Sequence, residues 1–219
     1  MGARLTWGVL AFLSVGVGMY AFAFYFLDAV GDPSFKERFA TMPLFAAFHV
    51  LGAGVALILG PFQLSRRLRA RALHWHRWIG RTYLTAVLLG GIGGGMLATI
   101  AAGGLVARIG FAMLAVIWLW SGAQAYFAVR RGDVASHRQW MIRNFSLTFA
   151  AVMLRIYLPL LTEGFGVPFA DAYATVAWLA WVPNLVLAEW LVLRAGSRVQ
   201  ADGAALVRAS QRSSAFAND

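Results

Sequence analysis

Residues 65–83 read SRRLRARALHWHRWIGRTY, and this stretch decides how the rest of the chain is interpreted. It places six arginines and two histidines between two long apolar runs: Arg66, Arg67, Arg69, Arg71, Arg77, Arg81, His74 and His76. Runs of about 20 apolar residues are long enough to cross the hydrocarbon core of a bilayer as helices. The stretch therefore predicts a cationic segment at a membrane surface, flanked by membrane-spanning helices.

The composition of the whole chain agrees with a membrane protein. Of its 219 residues, 60% are hydrophobic and 13% are charged, whereas a soluble domain carries about a quarter charged residues. We predict an all-α polytopic bundle of about six transmembrane helices in one domain, residues 1–195, followed by a short cytoplasmic tail, residues 196–219. The six predicted spans are Leu5–Leu27, Pro43–Leu64, Trp78–Ala102, Leu105–Val129, Gln139–Leu161 and Ala172–Leu193.

The distribution of cations predicts the orientation of these spans. Arginines are concentrated before the first span, after the second, after the fourth and after the sixth, while the opposite connections, including residues 28–42, are mixed or acidic. The positive-inside rule then predicts a bacterial inner-membrane protein with cytoplasmic N- and C-termini. The net charge of +10 is interpreted as attraction to anionic lipid headgroups rather than to nucleic acid. A membrane protein partner or a homo-oligomer is compatible with this pattern.

The absence of cysteine limits the chemistry that the chain can carry. It excludes disulfides, iron–sulfur clusters and covalent c-type haem attachment. The run Gly90-Gly91-Ile92-Gly93-Gly94-Gly95 is not preceded by a predicted strand, so it is not a dinucleotide-binding loop. Glycines four residues apart are instead typical of close helix packing in membranes.

Two ionisable residues fall inside predicted spans and are candidate ligand-binding residues. His49 lies about two turns into the second span, and Arg155 lies at a similar distance from the same membrane face in the fifth. Ionisable groups at such depths are costly and mark functional sites by default. We expect the two to meet in one cavity, although bonding to neighbouring helices alone would also explain them. Glu189 on the sixth span is a candidate carboxylate partner for Arg155, but it lies closer to the cytoplasmic end.

A second candidate site lies at the cytoplasmic starts of the third and fifth spans. His76 and His137 occupy comparable depths, so they are candidate ligands of a haem b iron, with His49 as a third candidate. The arginines that would neutralise haem propionates are Arg77, Arg81, Arg138 and Arg143. Met96 or Met153 is a weaker candidate for a second ligand opposite His49. The alternative is that these His, Arg and Trp residues are interfacial anchors.

Several short motifs together resemble a family of bacterial predicted membrane proteins, domain of unknown function 2306. The motifs are Phe48-His49 with Gly52, Leu59-Gly60-Pro61-Phe62-Gln63, His76-Arg77 with Gly80-Arg81, and His137-Arg138 with Trp140-Met141 and Arg143. The resemblance covers roughly His49 to Arg155 and implies a membrane fold, but it supplies no reaction. The His-Arg helix starts are also similar, more loosely, to b561-type and haem A synthase-type membrane cytochromes.

Three functional hypotheses follow from these residues. The first is a b-type haem protein acting in electron transfer or as an oxidoreductase subunit. The second is a protein that binds or transports a small anionic or quinone-like molecule through His49 and Arg155. The third is a structural or accessory subunit with a packed interior, whose arginines bind lipid headgroups. For the core of the bundle we predict spans two to five, with spans one and six at its periphery.

Overall fold

The computed structural model describes residues 2–197, and these form a bundle of α-helices. The all-α class predicted from the sequence is confirmed. In chain order the helices are α1 (Gly2–Phe26), α2 (Pro33–Ala40), α3 (Pro43–Gln63), α4 (Arg66–Arg71), α5 (Leu73–Ala98), α6 (Gly104–Arg130), α7 (Val134–Thr148), α8 (Ala150–Pro159), α9 (Phe169–Leu179) and α10 (182–197). The predicted tail lies outside the described residues from position 198 onward.

Five helical segments within residues 2–197 are long and apolar enough to cross a membrane. The predicted third span corresponds to α5, which has 26 residues but is not among these five. Its six glycines and its N-terminal arginines dilute the apolar residues. Nevertheless α5 packs along both α3 and α6, so it is an internal member of the bundle. The five segments are Leu5–Phe26, Pro43–Gln63, Gly104–Arg130, Val134–Gly164 and Phe169–Ser197.

The predicted fifth span is interrupted rather than continuous. It begins at Val134, breaks at Phe149 and ends in a π-helix at Leu160–Gly164. The Thr148 hydroxyl lies 3.0 Å from the carbonyl oxygen of Asn144, a side-chain bond that bends helices. The ring of a proline inside a helix removes one backbone donor, which accounts for the irregular turn after Pro159.

The predicted sixth span is also interrupted, at Ala180 and Trp181. Pro183 has no N–H to donate to the carbonyl of Leu179, so the helix cannot pass regularly through this point. The Trp181 indole instead donates to the carbonyl of Ala177 at 2.8 Å. Both α9 and α10 remain in one apolar segment, Phe169–Ser197, despite this break.

A short helix that the sequence did not predict, α2, occupies the connection between α1 and α3. Asp32 caps it by accepting a hydrogen bond from the Ser34 amide at 2.8 Å, and Pro33 occupies its first turn. The same hydrogen bonds lower the pKa of the exposed Asp32 carboxyl, so the cap is ionised at neutral pH. Phe35 packs on Tyr173 with ring centroids 5.6 Å apart. This contact holds α2 across one end of the bundle, which we call the α2 end.

Glycines let α3 and α5 approach until their backbones touch. A Cβ atom on Gly52 would lie 2.7 Å from the amide nitrogen of Gly90. A Cβ atom on Gly93 would lie 2.6 Å from the amide nitrogen of His49. The glycine run therefore serves close helix packing, as predicted, and this packing brings α5 against the backbone that carries His49.

A buried network of polar side chains joins α5, α6 and α7. The Tyr83 hydroxyl lies 2.7 Å from the Asn144 side-chain oxygen and 2.8 Å from the Thr148 hydroxyl. The Asn144 amide donates to the Ser121 hydroxyl, and the Trp118 indole donates to the Thr148 hydroxyl at 2.9 Å. Every side-chain polar group in the network has a partner, so it fixes the three helices relative to one another without exposing an unpaired donor.

Candidate functional site: a cavity at the α2 end of the bundle

A cavity of about 380 Å³ opens at the α2 end and runs into the bundle. This volume lies within the range of small-molecule sites in proteins. Its walls come from α1, α2, α3, α5, α6, α7, α8 and α9, and they are mainly aliphatic and aromatic. The innermost residues include Leu57, Trp118, Leu147 and Thr148, so the floor is formed partly by the polar network described above. The base of the cavity is therefore mostly apolar, with the Thr148 hydroxyl and the Trp118 indole already hydrogen-bonded to one another.

His49 lies in the wall of this cavity, six residues after the start of α3. At 1.5 Å per residue, this is about 9 Å along the helix. Its Nδ1 is 3.0 Å from the carbonyl oxygen of Gly90, and since a carbonyl only accepts, Nδ1 carries the hydrogen. A Cβ atom on Gly94 would meet this ring at 2.7 Å, so glycine makes room for it. In the neutral ring, Nε2 then carries the lone pair.

Arg155, on α8, lines the same cavity. Its Nη1 donates to the carbonyl of Ala151 at 2.9 Å, and its guanidinium carbon lies 5.1 Å from the centre of the Tyr20 ring. Arg155 forms no ion pair with a carboxylate in the described part of the chain. Its side chain is solvent-accessible although it lies in the middle of an apolar segment, because it borders the cavity.

The cavity brings His49 and Arg155 together with polar residues that the sequence did not nominate. Tyr20 from α1 and Tyr173 from α9 line the same space. The Arg155 guanidinium lies 5.1 Å from the centre of the Tyr20 ring, and His49 and Tyr173 line the same cavity. The first and sixth spans, predicted at the periphery of the bundle, both contribute residues to the cavity wall. A tyrosine near the end of an apolar run resembles an interfacial anchor, so no local signal marked either residue.

Arg38 on α2 is a second guanidinium at this cavity, at its mouth. Its Nη1 donates to the carbonyl of Ile100 at 3.0 Å, which ties α2 to the end of α5. Asp32 also borders the mouth, but the two side chains form no ion pair. The sequence could not assign Arg38 to the site, because its position depends on how α2 lies across the bundle. The polar part of the cavity thus holds two fixed positive charges and one carboxylate.

A comparison with protein families identifies the chain. The model of the family described as predicted membrane protein DUF2306 matches residues 46–192. The chain belongs to the DUF2306 family. No curated protein and no solved structure matches it. The looser likeness of this DUF2306 protein to b561-type cytochromes receives no support from these comparisons.

The matched segment contains most, but not all, of the cavity in this DUF2306 protein. His49, Arg155 and Tyr173 lie inside residues 46–192, as do the glycines that place His49. Tyr20 and Arg38 lie before the matched segment. Most of the polar residues of the cavity thus lie in the segment that matches the family, while α1 and α2, which precede that segment, supply the others.

The predicted haem ligands of this DUF2306 protein are divided between two places. His76 and His137 do not line the cavity that holds His49. Nδ1 of His137 is 2.8 Å from the carbonyl oxygen of Ala125, which leaves Nε2 as its lone-pair nitrogen. Burial lowers the pKa of His76, which precedes the predicted third span, and the charges of Arg69, His137 and Arg77 lower it further. The two histidines are therefore near one another, but His49 is not with them.

Of the four predicted propionate ligands, Arg143 is already engaged. Its guanidinium forms a two-point ion pair with Glu189, at 2.5 and 2.8 Å, and lies 4.6 Å from the centre of the Trp140 ring. Glu189 thus pairs with Arg143 and not with Arg155. Arg77, Arg81 and Arg138 are exposed, as interfacial arginines are. The role of these three as propionate ligands stays a prediction.

The two methionines that were candidate ligands opposite His49 lie outside the cavity. Neither Met96 nor Met153 is among the residues that line the cavity with His49, and their role as a second ligand stays a prediction. Met96 is 39% exposed, on the outside of α5. Residues 2–197 contain no cluster of three or more His, Cys, Asp or Glu side chains arranged to hold a metal ion.

Proposed function

We propose that this DUF2306 protein binds a small anionic or quinone-like molecule in the cavity at the α2 end, as a binding or transport protein. The observation that carries this proposal is Arg155: a guanidinium that borders an apolar cavity and has no carboxylate partner among residues 2–197. Arginine does not lose its proton in proteins, so its charge must be compensated in another way. A ligand with an anionic or carbonyl oxygen supplies that compensation.

The arrangement of the cavity favours a ligand with one polar end. Arg38, Arg155, His49 and the two tyrosines Tyr20 and Tyr173 lie toward the α2 end. The deeper surface is mostly hydrocarbon. Binding sites for small molecules commonly combine such an apolar surface with a few convergent polar groups, which fix the orientation of the ligand. The presence of this cavity also counts against a purely structural subunit, for which we predicted a packed interior.

The proposed orientation follows from the arginines at the other end of the bundle. These include α4, with its four arginines, and the connection after α6, with Arg130 and Arg131. Cytoplasmic loops carry an excess of such residues. We therefore place the protein in the inner membrane with both termini in the cytoplasm, which makes the α2 end the outer face and opens the cavity to the periplasm.

The proposal is tested by titrating the purified protein, in lipid nanodiscs, with three probes of similar chain length. These are decane-1-sulfonate, decylubiquinone and 1-decanol, and binding is measured by isothermal titration calorimetry against empty nanodiscs. We expect saturable binding of the sulfonate or the quinone and none of the alcohol, because only the first two present an oxygen acceptor strong enough for Arg155. Equal binding of decanol would show that the cavity recognises hydrocarbon alone and would contradict the proposal.

A b-type haem held by His76 and His137 is the second candidate, because the two histidines lie near one another and His137 retains a lone pair on Nε2. A reduced-minus-oxidised absorption spectrum of protein from haem-replete cells tests it. Sharp Soret and alpha bands that disappear in His137→Ala would support haem at this site. A protein without pyridine-haemochrome signal would exclude it and leave the cavity as the functional site.

A further inference from the structure

The hydrogen bonding of His49 restricts what this residue can do toward a bound anion. Nδ1 is committed to the carbonyl of Gly90 at 3.0 Å, and the ring is held against Gly94 of α5. Nε2 is therefore the ring nitrogen available to the cavity, and it makes no hydrogen bond to the described residues. In the neutral imidazole Nε2 only accepts, and an anionic oxygen also only accepts. The two can bind each other only if Nε2 carries a proton.

From this we infer that the ligand is an anion and that its binding at His49 takes up one proton from solution. The inference rests on the proposed function and specifies its ligand. The proton adds to Nε2, the imidazole becomes a cation, and its new N–H donates to the anion. Arg155 supplies the permanent charge in the same cavity. In the complex, the anion is then bound by two cations: Arg155, which is always charged, and His49, which becomes charged on binding.

The groups around His49 make it the side chain that gains the proton. Helix α5 presents glycines to it, which do not titrate. The titratable and charged groups of the other elements at the cavity are Tyr20 on α1, Arg155 on α8, Tyr173 on α9, Arg38 on α2 and Asp32 just before α2. Both arginines are already charged, the tyrosines are neutral donors, and Asp32 is held ionised by its cap at the mouth. Histidine is the side chain in this set whose unperturbed pKa lies closest to neutral pH.

Proton uptake also predicts how the affinity changes with pH. If free His49 is neutral and bound His49 is cationic, the complex holds one more proton than the separate partners. Binding then strengthens as the pH falls, by about tenfold for each pH unit, between the pH at which His49 in the complex titrates and the lower pH at which free His49 titrates. An anion bound by Arg155 alone would show no such dependence, because arginine keeps its charge throughout.

The test uses decane-1-sulfonate, because a sulfonate cannot itself be protonated near neutral pH. The full-length protein in nanodiscs is titrated at about pH 8, where an ordinary imidazole is neutral, in phosphate and in Tris. The difference between the observed heats in buffers of unlike ionisation enthalpy gives the number of protons taken up. We expect about one proton per sulfonate in the wild type, and about none in His49→Gln, whose neutral amide still donates at the Nε2 position.

A control variant tests whether the proton uptake is specific to His49, and the possible results distinguish failure of this inference from failure of the proposed function. His74→Gln alters an exposed histidine beside Trp75 and Trp78 and outside the cavity, and should keep the wild-type proton count. Sulfonate binding without proton uptake, or uptake that persists in His49→Gln, would overturn the inference and leave the binding site standing. If neither the sulfonate nor decylubiquinone binds, both proposals are overturned.

Discussion

Replacing Arg155 with Ala is expected to weaken the binding of decane-1-sulfonate by about 100-fold. Hydrogen bonds to charged groups contribute about 1.5–3 kcal/mol each, and a 100-fold change corresponds to about 2.7 kcal/mol. The same substitution should not lower the free energy of unfolding, because Arg155 leaves no carboxylate unpaired when it is removed. Titration calorimetry measures the first quantity, and denaturation by SDS measures the second.

The matched control removes a positive charge that does not face the cavity. Arg81 is exposed and stacks on Trp78 at 5.2 Å, so Arg81→Ala should leave sulfonate affinity within about twofold of the wild type. Arg155→Lys should bind with intermediate affinity, since lysine keeps the charge but lacks the planar fork. If Arg155→Ala lowers stability while leaving sulfonate affinity intact, the residue serves only to join helices, and the proposed site is wrong.

Replacing Gly93 with Ala is expected to separate α3 from α5 and to cost about 1–3 kcal/mol of unfolding free energy. The added Cβ would meet the backbone of α3, including the amide nitrogen of His49 at 2.6 Å, and backbone cannot rotate away as a side chain can. Because the same movement displaces His49, the affinity for decane-1-sulfonate should fall as well. SDS denaturation and titration calorimetry on one preparation test both effects.

Gly95→Ala is the control on the same helix, two residues away. A Cβ there would lie 3.6 Å from the Ala115 Cβ, an ordinary contact, so the helix should tolerate it. Alanine is the better helix former by about 1 kcal/mol, and the variant should be as stable as the wild type or more stable. Equal stability of the two variants would contradict the close backbone contact between α3 and α5.

His49 and Arg155 were identifiable from the sequence because an ionisable residue in an apolar run stands out against its neighbours. That the two share a cavity was an expectation from their similar depth, and the cavity contains both. Tyr20, Tyr173 and Arg38 were missed for a different reason. Each occupies a position where tyrosine or arginine is ordinary in a membrane protein, and only the packing of α1, α2 and α9 makes it part of the site.

The partner of Glu189 shows the same limit. From its position along the sixth span, Glu189 was a doubtful partner for Arg155. In the structure Glu189 pairs with Arg143 on α7. Which face of one helix meets which face of another depends on side-chain shape over the whole interface. The breaks at Phe149 and at Ala180-Trp181 add to this, because a hydropathy pattern does not contain them.

The sequence alone was enough to establish an all-α membrane protein with several membrane-spanning helices, since long apolar runs without charge are compatible with few other structures. It also determined that the glycine run serves packing. Only the tertiary structure decided which side chains share a space. It shows that His49 donates its Nδ1 hydrogen to a carbonyl of α5, that Arg155 has no carboxylate partner among residues 2–197, and that α2 packs against α9 beside the cavity mouth. Spans are set by local hydrophobicity, whereas a binding site is set by contacts between residues distant in sequence.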